Sequence, residues 1–427
     1  LHERALAIRE KALGPEHSNT ALSLNNLASL LQSQGDLAGA RALYERALAI
    51  HEKALGPDHP DAATSLNNLA LVLQAQGDLA GARPLHERAL AIREKARGPE
   101  SPLMATSLHC LAFLLEAQGD LAGARPLYER ALAIREKTLG PEHPDTAANL
   151  NNLACLLQAQ GDLAGARPLH ERALAIREKA LGPEHSNTAL SLNNLASLLQ
   201  SQGDLAGARP LLERALAIRE KALGPEHPET ATSLNDLANL LQFHGDLAGA
   251  RPLHERALAI REKALGPEHP ETATSLNNLA NLLLADGDLA GARPLFARAL
   301  AINERALGPE HSTTGINVSN LARVLRDLGE FAEAERLFGR AIGIGDRALG
   351  GGHPTTQRFK SHYARLLLMT DRSREALSVA EGALAVHDAT NGPNHPWTKD
   401  SARVTADALD ALRRRDDATA LRARYGL

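Results

Sequence analysis

A chain of 427 residues with 44% hydrophobic and 23% charged residues can build a long core, and at 3% aromatics that core must be made mostly of Ala and Leu. The formal net charge of −4 gives no electrostatic footprint for nucleic acid, and no apolar run approaches the roughly 18 residues that a membrane span needs. Two cysteines, Cys110 and Cys155, make no disulfide framework and suit a reducing, cytoplasmic setting.

The chain opens on LHERALAIRE, without Met or a targeting pattern, in the middle of a repeat unit. It reads as a fragment or processed form of a longer protein, with residues 1–17 an orphan second helix. Gly14-Pro15-Glu16-His17 follows, and this loop recurs with small variations at Gly56, Gly98, Gly140, Gly182, Gly224, Gly266 and Gly308, then in degraded form at Gly350 and Gly392. A second signal, Gly35-Asp36-Leu37, recurs at the same 42-residue step from Gly77 to Gly287 and then as Gly329-Glu330-Phe331. Self-similarity at a fixed period marks a repeat array in which each unit is one supersecondary element.

Between the two signals lie two helices per unit. The first, helix A, is expected from about Ser18 to Gln34, with Leu24, Leu27, Ala28 and Leu31 on one face. Gly35 stops it, and Asp36 is placed to cap helix B, which runs to about Leu55 with Ala40, Leu43, Tyr44, Ala47, Leu48 and Ile50 as its apolar stripe. His59 sits at the next N-cap, ahead of Pro60 and Asp61, residues suited to a first turn. Pro84, Pro126, Pro168, Pro210, Pro252 and Pro294 fall inside helix B and predict a kink or a loosened first turn, absent in the copy with Ala42. Near-identical repeats fill residues 18–311, divergent ones 312–395, and 396–427 are expected to be capping helices.

The pattern resembles the tetratricopeptide repeat, carried by Leu27, Ala28 and Leu31 on helix A and Ala40, Tyr44 and Ala47 on helix B. The 42-residue period, Leu-Asn-Asn-Leu-Ala on helix A and Glu-Arg-Ala-Leu-Ala-Ile-Arg-Glu-Lys on helix B make it similar to the kinesin light chain type. The resemblance implies an all-α, right-handed superhelical solenoid of antiparallel helix pairs, with A helices lining a concave groove that takes a peptide from a partner.

The candidate binding residues follow from that geometry. Asn is a mediocre helix former, so Asn pairs repeated mid-helix need a reason. Asn25, Asn67, Asn151, Asn193, Asn235 and Asn277 open these pairs. One reading has at least one member facing the groove to bond peptide backbone; the other has them forming a ladder between repeats. The next groove-facing turn carries Phe113, Asn239, Asn281 and Arg323 among its variable residues. Phe113 and Phe243 are candidate anchors in an aromatic-poor chain, and Arg323 and Arg326, with Arg365 one unit on, form a small basic patch suited to an acidic peptide or carboxylate.

The 18 histidines invite a metal reading. Most, however, occur once per loop, and layers of stacked helices about 8–10 Å apart cannot bring them to one centre; capping is the expected role. No nucleophile elbow, phosphate loop or His-Glu-x-x-His motif occurs, so neither catalysis nor a cofactor is expected. The leading expectation is a protein-interaction scaffold for protein or peptide ligands. A second is a sensing or autoregulatory array attached to an N-terminal effector domain outside this sequence. A third is a spacer that self-associates through its exposed N-terminal repeat end. Residues 1–41 and 169–209 are identical, which suits multivalent binding to a repetitive ligand.

Overall fold

The computed structural model describes residues 2–97 and 100–427, so the loop copy at Gly98 and the first residue of the orphan helix lie outside the described residues. Among the described residues every regular element is an α-helix, 21 in all. Helix A spans Ser18–Ser33, Pro60–Ala75 and Pro228–Phe243 in representative units, and helix B spans Leu37–Leu55, Leu79–Arg97 and Leu247–Ala264. The chain forms two compact units, one of Leu1–Leu156 with Leu169–Pro183, the other of Leu157–Pro168 with Glu184–Leu427.

The helix ends are set by the loop residues. His17, His59, His143, His185, His227, His269, His311, His353 and His395 each place Nδ1 to accept the backbone N–H two residues on, at 3.1–3.2 Å. A capping acceptor of this kind satisfies a donor that the first turn leaves free. Gly56, Gly140 and Gly224 end B helices at φ of 96° to 98°, a left-handed conformation that a side chain would strain.

At the start of helix B, Asp246 Oδ1 accepts from Gly249 N at 2.9 Å. A Cβ on Gly249 would sit 2.5 Å from the Asp246 carboxylate, so the glycine makes room for the cap. Replacing Asp246 with Ala is expected to cost about 1 kcal/mol, read as earlier loss of amide protection in Leu247–Ala264. Full protection in the variant would show that the cap is idle.

The prolines do not interrupt helix B. Leu121–Leu139, with Pro126, has the same length of 19 residues as Leu37–Leu55, with Ala42, and its Asp cap has nearly the same backbone angles. The expectation of a loosened first turn is therefore corrected. Proline at this position forgoes one hydrogen bond, to the carbonyl four residues back, and the helix runs on through the loss.

The core exists only through stacking. In one cluster Ala231 and Leu234 of helix A meet Ala257, Ile260 and Leu253 of their own helix B and Leu216 of the preceding one. In another, Ala196 and Leu199, then Ala208 and Leu212, pack on Leu237 and Leu240 of the next unit. Such clusters draw on three or four consecutive helices, as quasi-one-dimensional repeat proteins require. The late aromatics serve the same end: Phe338 and Phe359 are buried with Phe331 and Tyr363 packed against them.

Candidate functional site

Helix A presents two rows of polar residues with different fates. The first Asn of each pair is buried, apart from Asn277, which is half-buried. Asn67 Nδ2 donates to Ser107 Oγ at 3.0 Å, and its Oδ1 accepts from His86 Nδ1 at 2.9 Å. Asn235 repeats this with Ser275 at 3.1 Å and His254 at 2.8 Å, and Asn151 accepts from His170 at 2.9 Å. Asn25 donates to Ser65 at 3.2 Å, Asn193 to Asp236 at 2.7 Å, and Asn277 to Asn317 at 2.8 Å. Arg93 and Arg261, buried on helix B, complete the network by donating to Ser107 and Ser275 at 2.9 and 3.0 Å.

The groove assignment of Asn25, Asn67, Asn151, Asn193, Asn235 and Asn277 is therefore corrected: they turn inward, Asn151 onto His170 and the other five onto the next repeat as a ladder. The physical reason is that an amide offers a donor and an acceptor at once, and a buried seam between helices needs both. The position 19 residues further on decides whether the ladder closes. Where it is His, the amide oxygen is satisfied; beside Leu212 and Phe296, the oxygens of Asn193 and Asn277 have no partner.

The second row faces outward. Asn26 is exposed, and Asn68, Asn152, Asn194, Asp236 and Asn278 are half-buried. One turn on, Ser29, Phe113, Ser197 and Asn239 are exposed while Leu71, Asn281 and Arg323 are half-buried. Phe113 is 49% exposed and Phe243 59%, a costly display of apolar surface in helices that bury their other large residues. Asn281 is not free: its Nδ2 donates to Asn277 O at 2.9 Å, and its Oδ1 accepts from Arg323 at 3.3 Å. Gln158 and Gln242 reach the next unit at Ser201 and Asn281 O, at 2.8 and 3.4 Å, and so link repeats.

Burial pushes the Cys155 thiol up to about 11 and raises that of Cys110, leaving poor nucleophiles. Burial also raises Glu116, which accepts a bond from Tyr128 at 3.1 Å. Asp236 is pushed up to about 6 by burial, against the pull of Arg219 and Arg261. Among the described residues no three His, Cys, Asp or Glu side chains converge as a metal site, and no helix is long and apolar enough to cross a membrane.

Arg323 and Arg326 lie in a different setting from an open patch. They line a cleft of about 310 Å³ with Arg358, Arg365, His362, Trp397 and Asp400. Sequence reading had found three of its arginines but missed Arg358, which stacks over Trp397 at 4.6 Å from the ring centroid. The 42-residue register carried a usable signal, since Arg358 sits one helical turn before His362 on the outward row.

These helix pairs, capped alike and stacked on shared clusters, define an all-α repeat solenoid of the kind that acts as a protein-interaction scaffold. The tetratricopeptide repeat model matches residues 1–53, 20–95, 103–179, 156–221, 187–263, 241–305 and 271–347. The chain belongs to the tetratricopeptide repeat family, with the 42-residue unit of the kinesin light chain-like type. It is similar to a putative kinesin light chain with nearly identical TPR-like repeats from Podosopora anserina, at 36% identity over 48% of this chain and 97% of that one, with a TM-score of 0.41. BtubC (BKLC) from P. vanneervenii is 26% identical over 55% and 92%, with a TM-score of 0.45. A Rap protein complexed with competence and sporulation factor shares the fold, at 14% identity over 85% and 96% and a TM-score of 0.58. Among curated proteins no relative matches.

Proposed function

We propose that the chain is a cytoplasmic, non-enzymatic scaffold that binds peptide segments of partner proteins along the outward row of its A helices. One observation carries this reading: the inward residues are nearly invariant and bonded within the stack, whereas the outward row varies and holds exposed Phe113, Phe243 and Asn239. A fold-only role would leave no reason for exposed phenylalanines on the same row as unspent amides. Asn194, Asn239 and Asn278 are the groups that offer bonds to a peptide backbone, in place of the inward asparagines. Each bond contributes about 1 kcal/mol, so affinity comes from several units acting together. Residues 18–311 supply repeated, near-equivalent contacts, and 312–395 a more individual end.

The test is to select peptides against the full chain from a display library, then to measure their affinity for variants. Asn194→Ala with Asn239→Ala and Asn278→Ala is expected to weaken binding about tenfold to a hundredfold, and Phe243→Ala to weaken peptides that place an apolar side chain there. Unchanged affinity at unchanged helicity would reject the outward row as the binding surface.

A further inference from the structure

The cleft lined by Arg323, Arg326, Arg358 and Arg365 has an unbalanced charge. Arg326 pairs with Asp327 at 2.7 Å, and Arg365 with Asp400 at 2.9 Å. Arg403 reaches Asp400 from the rim, at 3.9 Å. Arg323 meets only neutral amide oxygens, those of Asn281 and Asn320, both at 3.3 Å. Arg358 lies on the Trp397 ring. Among the described residues neither has a carboxylate within ion-pair distance, so two guanidinium charges stand uncompensated in the cleft.

The setting makes that excess consequential. Arg326 is 5% exposed, and its Nη1 has no acceptor. Burial, with Arg358 and Arg326 nearby, pulls the Arg323 guanidinium down to about 10, still charged at neutral pH. His362 bonds Ser319 Oγ at 3.3 Å. Burial first, and then the four surrounding arginines, hold its pKa well below the ordinary value, so it adds no charge. Buried charges are normally paired, and a fixed array of planar guanidinium donors matches tetrahedral and planar oxyanions.

We propose that this cleft binds a phosphomonoester dianion, held by Arg323 and Arg358 with the free edge of Arg326 as a further donor. A phosphate ester carries a charge of about −1.5 to −2 at neutral pH, matching the two uncompensated arginines; a single carboxylate leaves one of them unbalanced. A cleft of about 310 Å³ lies at the lower end of the range for small-molecule sites, fitting a headgroup with its first substituent. Trp397 fixes Arg358 by a cation–π contact, so less conformational freedom is lost on binding. The site stands apart from the peptide reading, since an anion binds here whether or not a peptide lies along the remaining A helices.

The experiment is calorimetric titration of the full chain with inorganic phosphate at low salt, with acetate as the monoanionic comparator. Phosphate is expected to bind at one site and at least about tenfold tighter than acetate. Arg323→Gln and Arg358→Gln should each weaken it by about tenfold or more. Asp400→Asn, which frees Arg365, should tighten it by several-fold, a gain that misfolding does not mimic. Acetate binding as tightly as phosphate, undiminished affinity in both arginine variants, or weaker binding in Asp400→Asn would overturn the proposal. Comparing free phosphoserine with a phosphoserine-centred peptide separates the sources: tighter peptide binding identifies a modified protein, equal affinity a small phosphorylated molecule.

Discussion

Between pH 6.5 and 4 the protein is expected to lose stability steeply, because of three histidines built into the ladder. His86, His170 and His254 are each 0% exposed, and burial lowers their pKa from 6.5 to about 4. Nδ1–H donates to an Asn oxygen, and Nε2 is buried with no protein group to bond it. Protonation would place a charge and an orphan donor in the core. Above pH 6.5 the imidazoles are neutral in both states and their contribution is complete. As pH falls toward 4 the unfolded chain takes up protons that the folded chain does not, so stability is lost throughout that window, by about 3 kcal/mol for each histidine. Asp236, whose folded pKa of about 6 lies above the ordinary 3.8, runs the other way and offsets part of this loss.

Thermal melts by circular dichroism at several pH values measure the slope. The protein itself provides the control, because Leu212 occupies the equivalent position. His86→Leu, His170→Leu and His254→Leu together should leave the chain somewhat weaker at pH 7.5, with three more amide oxygens unpaired, yet more stable than the parent near pH 4.5. Parallel curves that never cross would refute the role assigned to these imidazoles.

The second large effect is at Asn235. Its replacement by Ala removes one bond to Ser275 and one from His254, both buried. Two buried groups lose a partner, at a cost of roughly 2–4 kcal/mol. Repeat arrays open locally, so the loss is expected as faster hydrogen exchange in Pro228–Phe243 and Pro270–Asp286, helices on either side of the ladder. Asn278→Ala, on the outward row, should leave exchange almost unchanged while lowering peptide affinity. The reverse pattern would exchange the roles assigned to the two rows.

Much of the fold was legible because its signals are local. Gly-Pro-x-His gives a helix stop, a proline and a capping imidazole within four residues, and Gly-Asp-Leu gives a stop and a carboxylate cap; these depend on backbone geometry that neighbouring residues set. The apolar stripe of helix A is a periodicity, readable without knowing what it packs against. Repetition reinforced each signal, since a pattern found in one unit recurred in the next.

The candidate site was legible only in part. Phe113 and Phe243 stand out in an Ala- and Leu-rich chain, and both are exposed. The Asn pairs were not resolved, because adjacent helical residues differ by about 100° in direction, and which of the two points inward depends on the helix packed alongside. Tertiary structure decided it: Ser65, Ser107 and Ser275, 40 residues away in sequence, wait opposite the first Asn. The same holds for the arginine cleft, whose charge balance needs Asp327, Asp400 and Trp397 in their places. The sequence by itself determined the period, the helices, their caps and the core stripe, all properties of short segments. Only stacking decided which amide is buried, which imidazole is kept neutral and which arginines lack a counter-charge, since burial and charge pairing belong to neighbours the chain brings together from a distance.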